Sequence, residues 1–147
     1  MSKQSERTYI ERRMKTLFGA AYPGVKIGYE NANFKPPENQ VYGELHILGG
    51  RTIVAGGSNG HNVVDRHLGI VQINFFSPNE KGVVLATQYG DKAAEVFRHS
   101  KGRDDAGDVI TFKSAEFPNG GKIGGFQVTI IKIPFYRDEF VPVSTSA

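Results

Sequence analysis

Val41–Leu48 (VYGELHIL) and Leu68–Phe76 (LGIVQINFF) decide the fold of this chain. In the first, Gly43, Leu45 and Ile47 alternate with Tyr42, Glu44 and His46. In the second, Val71, Ile73 and Phe75 alternate with Gln72 and Asn74. A period of two marks strands with one buried face. Ile70 and Phe76 break the polarity of the second face, as expected where a sheet is covered by helices on one side and touches a neighbour on the other. Between the two runs lies Gly49–His67, GGRTIVAGGSNGHNVVDRH. Hairpin loops need only about 2–5 residues. This stretch carries Ile53, Val54, Val63 and Val64 among five glycines, so it reads as an excursion that docks on copies of the chain or on a partner.

The flanking sequence fills in the rest. Ile10, Met14, Leu17 and Phe18 share one face of a helix over Ser5–Phe18, with Ser5 as N-cap and Gly19 as stop. Val25–Tyr29 follows a Pro23-Gly24 turn as a short strand, and Glu30–Gln40 is a loop stiffened by Pro36 and Pro37. Ser77–Gly82 is punctuation. Val83–His99 is a second helix with a stripe of Leu85, Ala86, Tyr89, Ala93, Val96 and Phe97. Gly90 inside it costs about 1 kcal/mol relative to alanine, a cost that close helix–sheet contact would explain. Lys101–Asp108 reads as a polar loop, Val109–Phe112 as a strand, and Pro118-Asn119-Gly120-Gly121 as a turn. Phe126–Phe135 is the last strand, with a bulge expected near Ile130–Ile131 and Pro134 at an edge or terminus. Arg137–Ala147 reads as a tail. The expected fold is α+β: one domain with core residues 5–137 and a tail over 138–147. A mainly antiparallel sheet carries two helices on one face and a long glycine-rich β-hairpin excursion.

Composition bounds the function. The chain has 147 residues, 39% hydrophobic and 22% charged, which suits a globular protein. No apolar run approaches the roughly 20 residues of a bilayer span, and MSKQSERTYIERR lacks the apolar core of a secretory signal. Cysteine is absent, which removes disulfide and thiolate chemistry and suits a cytosolic origin. The net charge is +3, from 18 basic against 15 acidic residues. Lys3, Arg7, Arg12, Arg13 and Lys15 fit a solvated helix face better than a nucleic-acid stripe with interleaved aromatics.

Candidate chemistry is weak. Gly56-Gly57-Ser58-Asn59-Gly60 matches the nucleophile elbow, but that motif needs a helix directly after it, and here a strand follows. Asp65 and His67 come too soon after Ser58 to reach around a hydrolase sheet. His61, Asp65 and His67 are metal ligands by type, but their spacing fits no helical His pair. His46 and His99 show no partner pattern. Asp104, Asp105 and Asp108 miss the calcium-loop pattern, and Gly121-Lys122 lacks the rest of a phosphate loop. No catalytic residue, metal or cofactor is assigned.

Two segments carry a resemblance: Tyr29-Glu30-Asn31-Ala32-Asn33-Phe34-Lys35-Pro36-Pro37, and the strand exit from Gly69 through Gln72 to Pro78. With the leading amphipathic helix and the two closing strands, the chain from Arg7 to Tyr136 resembles the tail terminator proteins of long-tailed bacteriophages. Tyr29 stands where that family often has tryptophan. The resemblance implies a structural virion protein, not an enzyme. It implies a ring, usually of six copies, that caps the tail tube at the head-proximal end, after assembly in the bacterial cytoplasm. The implied partners are other copies of the chain, the tail tube protein and a head-completion protein. DNA would pass through the pore without sequence-specific binding, and no membrane is involved. Arg51, Thr52, Ile53, Val54, Arg66, His67, Ile70 and Phe76 are the candidates for subunit or tube contact. Another neck or head-closure connector is the alternative within this class. A nucleic-acid-binding module or a hydrolase acting through Ser58 stands outside it.

Overall fold

The computed structural model describes residues 2–30, 32–58, 62–78 and 83–143. The alternation in Leu68–Phe76 belongs to the central strand of its sheet. The strands are β1 (Ile27–Tyr29), β2 (Tyr42–Ser58), β3 (Asn62–Pro78), β4 (Lys101–Arg103), β5 (Val109–Phe112), β6 (Lys122–Ile123) and β7 (Phe126–Pro142). They are ordered β1-β2-β3-β7-β5-β4, with β6 also on β7. Only the β1–β2 pairing is parallel. The chain is thus a mixed α+β fold with a mostly antiparallel sheet, as the alternation implied.

Helix α1 (Ser2–Arg13) runs on through a π-helical turn, Met14–Phe18, and a short Gly19–Ala21 segment. Ser5 is therefore inside the helix rather than its cap, and Gly19 keeps helical geometry (φ −61°, ψ −31°) rather than stopping it. The wider π turn keeps Phe18 in line with Met14 and Ile10, all buried, and carries Leu17 outward to 40% exposure. Helix α2 spans Val83–Phe97. Both helices pack on one face of the sheet, against Leu45, Val71, Ile73, Phe75, Ile131 and Ile133. Ring pairs Phe18–Phe75 (5.6 Å) and Phe97–Phe112 (5.2 Å) tie the layers. A Cβ at Gly90 would lie 3.1 Å from Ile131 Cδ1, so the glycine does serve a close helix–sheet approach.

The odd pattern in β7 has a different cause from a bulge. The β3–β7 register is unbroken from Asn62↔Pro142 to Pro78↔Phe126. Val128 is buried on the opposite face from Ile131, opposite Phe76, because that face has its own aromatic cluster. Tyr42 stacks on Phe76 at 4.9 Å and meets Phe126 at 6.0 Å and Phe34 at 5.9 Å. Pro134 lies inside β7, not at its end. Its carbonyl accepts from the Lys113 N–H, and the Lys113 carbonyl, which a proline cannot serve, accepts from His99 instead.

Three further expectations change. The polar segment Lys101–Asp108 contains strand β4. The tight turn before β7 is Gly124-Gly125 (φ 54° and 85°) between paired Ile123 and Phe126, a two-residue turn that needs positive φ at both positions. The segment read as a tail from Arg137 is strand as far as Pro142. Residues 79–82, read from sequence as punctuation, Asn31 and residues 144–147 lie outside the described residues.

Candidate assembly surface

The excursion is a continuation of the sheet, not a loop. β2 and β3 stay paired to Ser58↔Asn62, and β7 follows β3 to Pro142. The result is a three-stranded arm. Two register shifts in β2, at Gly49/Thr52 and Val54/Gly56, each admit one extra residue. Such bulges sharpen twist and bend the strand. Gly50 allows the first: a Cβ there would sit 3.0 Å from the Leu68 carbonyl oxygen.

The arm is joined to the body by buried charge. Arg137 is fully buried; its Nε donates to Glu6 Oε1 at 3.0 Å and its Nη1 to Asp108 Oδ2 at 2.8 Å. These link β7, α1 and the loop before β5. Burial alone would lower the Arg137 pKa, but the hydrogen bonds it donates to Glu6 and Asp108 raise it. Arg137 Nη1 also lies 3.7 Å from Glu139, and Glu139 Oε1 lies 2.8 Å from His67 Nε2. His67 Nδ1 then meets Thr52 Oγ1 at 2.8 Å. A continuous polar chain thus runs from α1 to the base of the arm. On the other face, Arg66 pairs with both oxygens of Asp138 at 2.8 and 3.0 Å and lies 4.0 Å over the Tyr136 ring. Its pKa is raised, chiefly by the Asp138 hydrogen bond.

Alongside these anchors the arm carries exposed apolar side chains. Ile53 falls on the row Ile53–Arg66–Asp138, and Val54 on the row Val54–Asp65–Glu139, so the two side chains point to opposite faces. Val54 and Phe140 are each 70% exposed. Of the candidates from sequence, Arg51, Thr52, Ile53, Val54, Arg66 and His67 come together on the arm. Ile70 lies below it, half-buried between Leu48 and Pro134. Phe76 is at the other end of the sheet, stacked on Tyr42, and does not belong with them. Sequence reasoning missed Tyr136, Arg137, Asp138, Glu139 and Phe140. A signal existed: nothing between Pro134 and Pro142 interrupts an extended chain.

The residues that suggested chemistry sit as follows. His61, Asn59, Gly60 and the Ser58 side chain lie outside the described residues. Asp104 Oδ1 accepts from the Ala106 and Asp108 N–H groups, closing the Gly107 turn (φ 88°). His46 lies 3.6 Å from Glu44, and His99 meets Ser114 at 3.3 Å. Among the described residues no group of three metal-ligating side chains forms. A groove of about 570 Å³, lined by Tyr22, Pro23, Val41, Leu85 and Tyr89 among others, opens at the end of the sheet away from the arm.

Comparison with known proteins agrees with this architecture. One solved structure aligns with a TM-score of 0.74 at 19% identity, covering 97% of this chain and 99% of that one. A chain from the virion of a native gene transfer agent particle aligns at 0.53 and 13% identity, covering 90% and 92%. Curated proteins give no match. The family described as phage tail terminator protein matches residues 7–130. The chain therefore belongs to the phage tail terminator family, a family of structural virion proteins rather than enzymes.

Proposed function

We propose that the protein forms a closed ring, of six copies, that caps the tail tube, ends its polymerisation and offers a surface for head joining. One ring face meets the last ring of tube subunits and the other a head-completion protein. DNA passes through the centre, and the protein sits at the head-proximal end of the tail. The observation that carries this reading is the arm: a paired, charge-anchored sheet extension that holds Val54 and Phe140 out in solvent and leaves Ile53 partly exposed. Apolar side chains on both faces of one rigid element are unfavourable in an isolated molecule and favourable in an assembly. A cyclic ring needs two different patches per copy, and the two faces and edges of one arm supply them.

The test is tube length. Tube subunits polymerised with the purified protein should give tubes that stop growing, with the protein at one end only. Unrestricted growth at saturating protein would overturn the reading. Removal of residues 50–62, natural for a loop, is a poor test here because it strips the outer half of β3 of its β2 partner. Point changes on the arm serve better.

A further inference from the structure

The outer half of the arm is three strands wide, and both its edges are open. β1 covers β2 only at Gly43, Glu44 and Leu45, and β5 covers β7 only from Phe135 to Asp138. Glu30 closes the next step of the first edge by accepting the Ile47 N–H at 2.8 Å. Past these points, residues 49–58 of β2 and 139–142 of β7 have no strand on their outer sides among the described residues. An open edge is a row of unpaired donors and acceptors, and natural sheets blunt it with proline, lysine or short strands. Residues 49–58 carry neither proline nor lysine; their two bulges, another such device, flank Thr52–Val54 and leave that run regularly paired with β3.

Strand direction then limits what can bind. β2 and β7 are both antiparallel to β3, so both run toward the arm's tip. Rotation about an axis along the arm brings β7 of one copy beside β2 of the next, in parallel. That contact uses two different edges, so it repeats head to tail and closes on itself. Pairing of β2 with β2 would instead be antiparallel and would end at a dimer. The side chains suit the first arrangement. Val54 and Glu139 lie on one row, and Phe140 on the next. A neighbour at the same height sets Ile53 beside Asp138 and Val54 beside Glu139, with Phe140 and Val141 in the next rows toward the tip. It also brings Arg51, which has no ion pair among the described residues, near the acidic Asp138 and Glu139.

The geometry points to a second copy of this chain as the occupant of the open β2 edge: β7 of one copy adds to β2 of the next, joining the arms into one continuous sheet. This rests on the ring reading and specifies its contact.

The absence of cysteine makes cross-linking clean. Val54→Cys and Val141→Cys proteins, whose side chains share one face of the joined sheet, mixed and treated with a short bifunctional maleimide, should give dimers at least tenfold faster than either protein alone. Self-linking of the Val54→Cys protein as fast as the mixture would overturn the arrangement in favour of β2–β2 contact. A second variant tests the backbone. The Ile47 N–H points away from β3, and counting through the Gly49/Thr52 bulge puts the Val54 N–H on the same side. Val54→Pro should fold, since an outward N–H is dispensable, yet lose ring formation by light scattering and on tube ends; Val54→Thr should keep it. Normal rings from Val54→Pro would overturn the inference. Rings on tubes without the mixed cross-link would refute the edge pairing and leave the ring reading standing. Uncapped tubes and a monomer at all concentrations would refute both.

Discussion

Arg137 carries more of the structure than any other polar residue. It is fully buried and holds Glu6 and Asp108, whose side chains are only 5% and 13% exposed. Arg137→Met keeps the bulk but strands both carboxylates, so urea unfolding should show a loss of about 3–5 kcal/mol. By contrast Arg12→Ala, which breaks the Arg12–Asp105 pair with side chains 60% and 61% exposed, should cost under about 1 kcal/mol. Glu30 gives a pH signature. Burial would raise its pKa, but the Ile47 N–H and the Arg7 guanidinium outweigh that and hold it below the ordinary 4.5. Its contribution is thus fully present above the unfolded-state value and is lost as pH falls through the lower folded one. Urea midpoints of the wild type and Glu30→Gln should therefore differ above about pH 5 and converge in strong acid.

At the scale of elements, the arm separates stability from assembly. Val54→Ser changes a side chain that is 70% exposed, so thermal unfolding should move by about 1 kcal/mol or less. Ring formation by light scattering should disappear. The strands that pack on helices were legible because core burial enforces alternation: Leu45 and Ile47 in β2, and Val71, Ile73 and Phe75 in β3, could be read directly. The arm was legible only as an anomaly. Its glycines imitate a loop, and its two bulges each shift the period, so Thr52, Val54 and Gly57 do not alternate in simple phase. The end of β7 was hidden for another reason. Arg137, Asp138 and Glu139 look like a solvated tail, yet they are the polar chain that anchors the arm. The apparent bulge at Ile130–Ile131 came from assuming one apolar face where the sheet has two, the second built on Tyr42, Phe76 and Phe126. Six of the eight candidate residues lie together on the arm, whereas Phe76, half-buried, stacks on Tyr42 at the other end of the sheet.

On the scale of the whole molecule, the chain has two unlike parts. The body is a sheet with both helices on one face and an aromatic cluster on part of the other. The arm rises from it with open edges and exposed apolar groups. A ring built from such units would place its arms around the axis and its bodies outside. Electron microscopy of tails assembled with and without this protein tests that directly. With the protein, class averages should show a closed ring of density at one tube end. Tails made without it should lack that ring and vary in length. A capped tube whose added density is not a closed ring, or tails unchanged by the protein, would contradict the account.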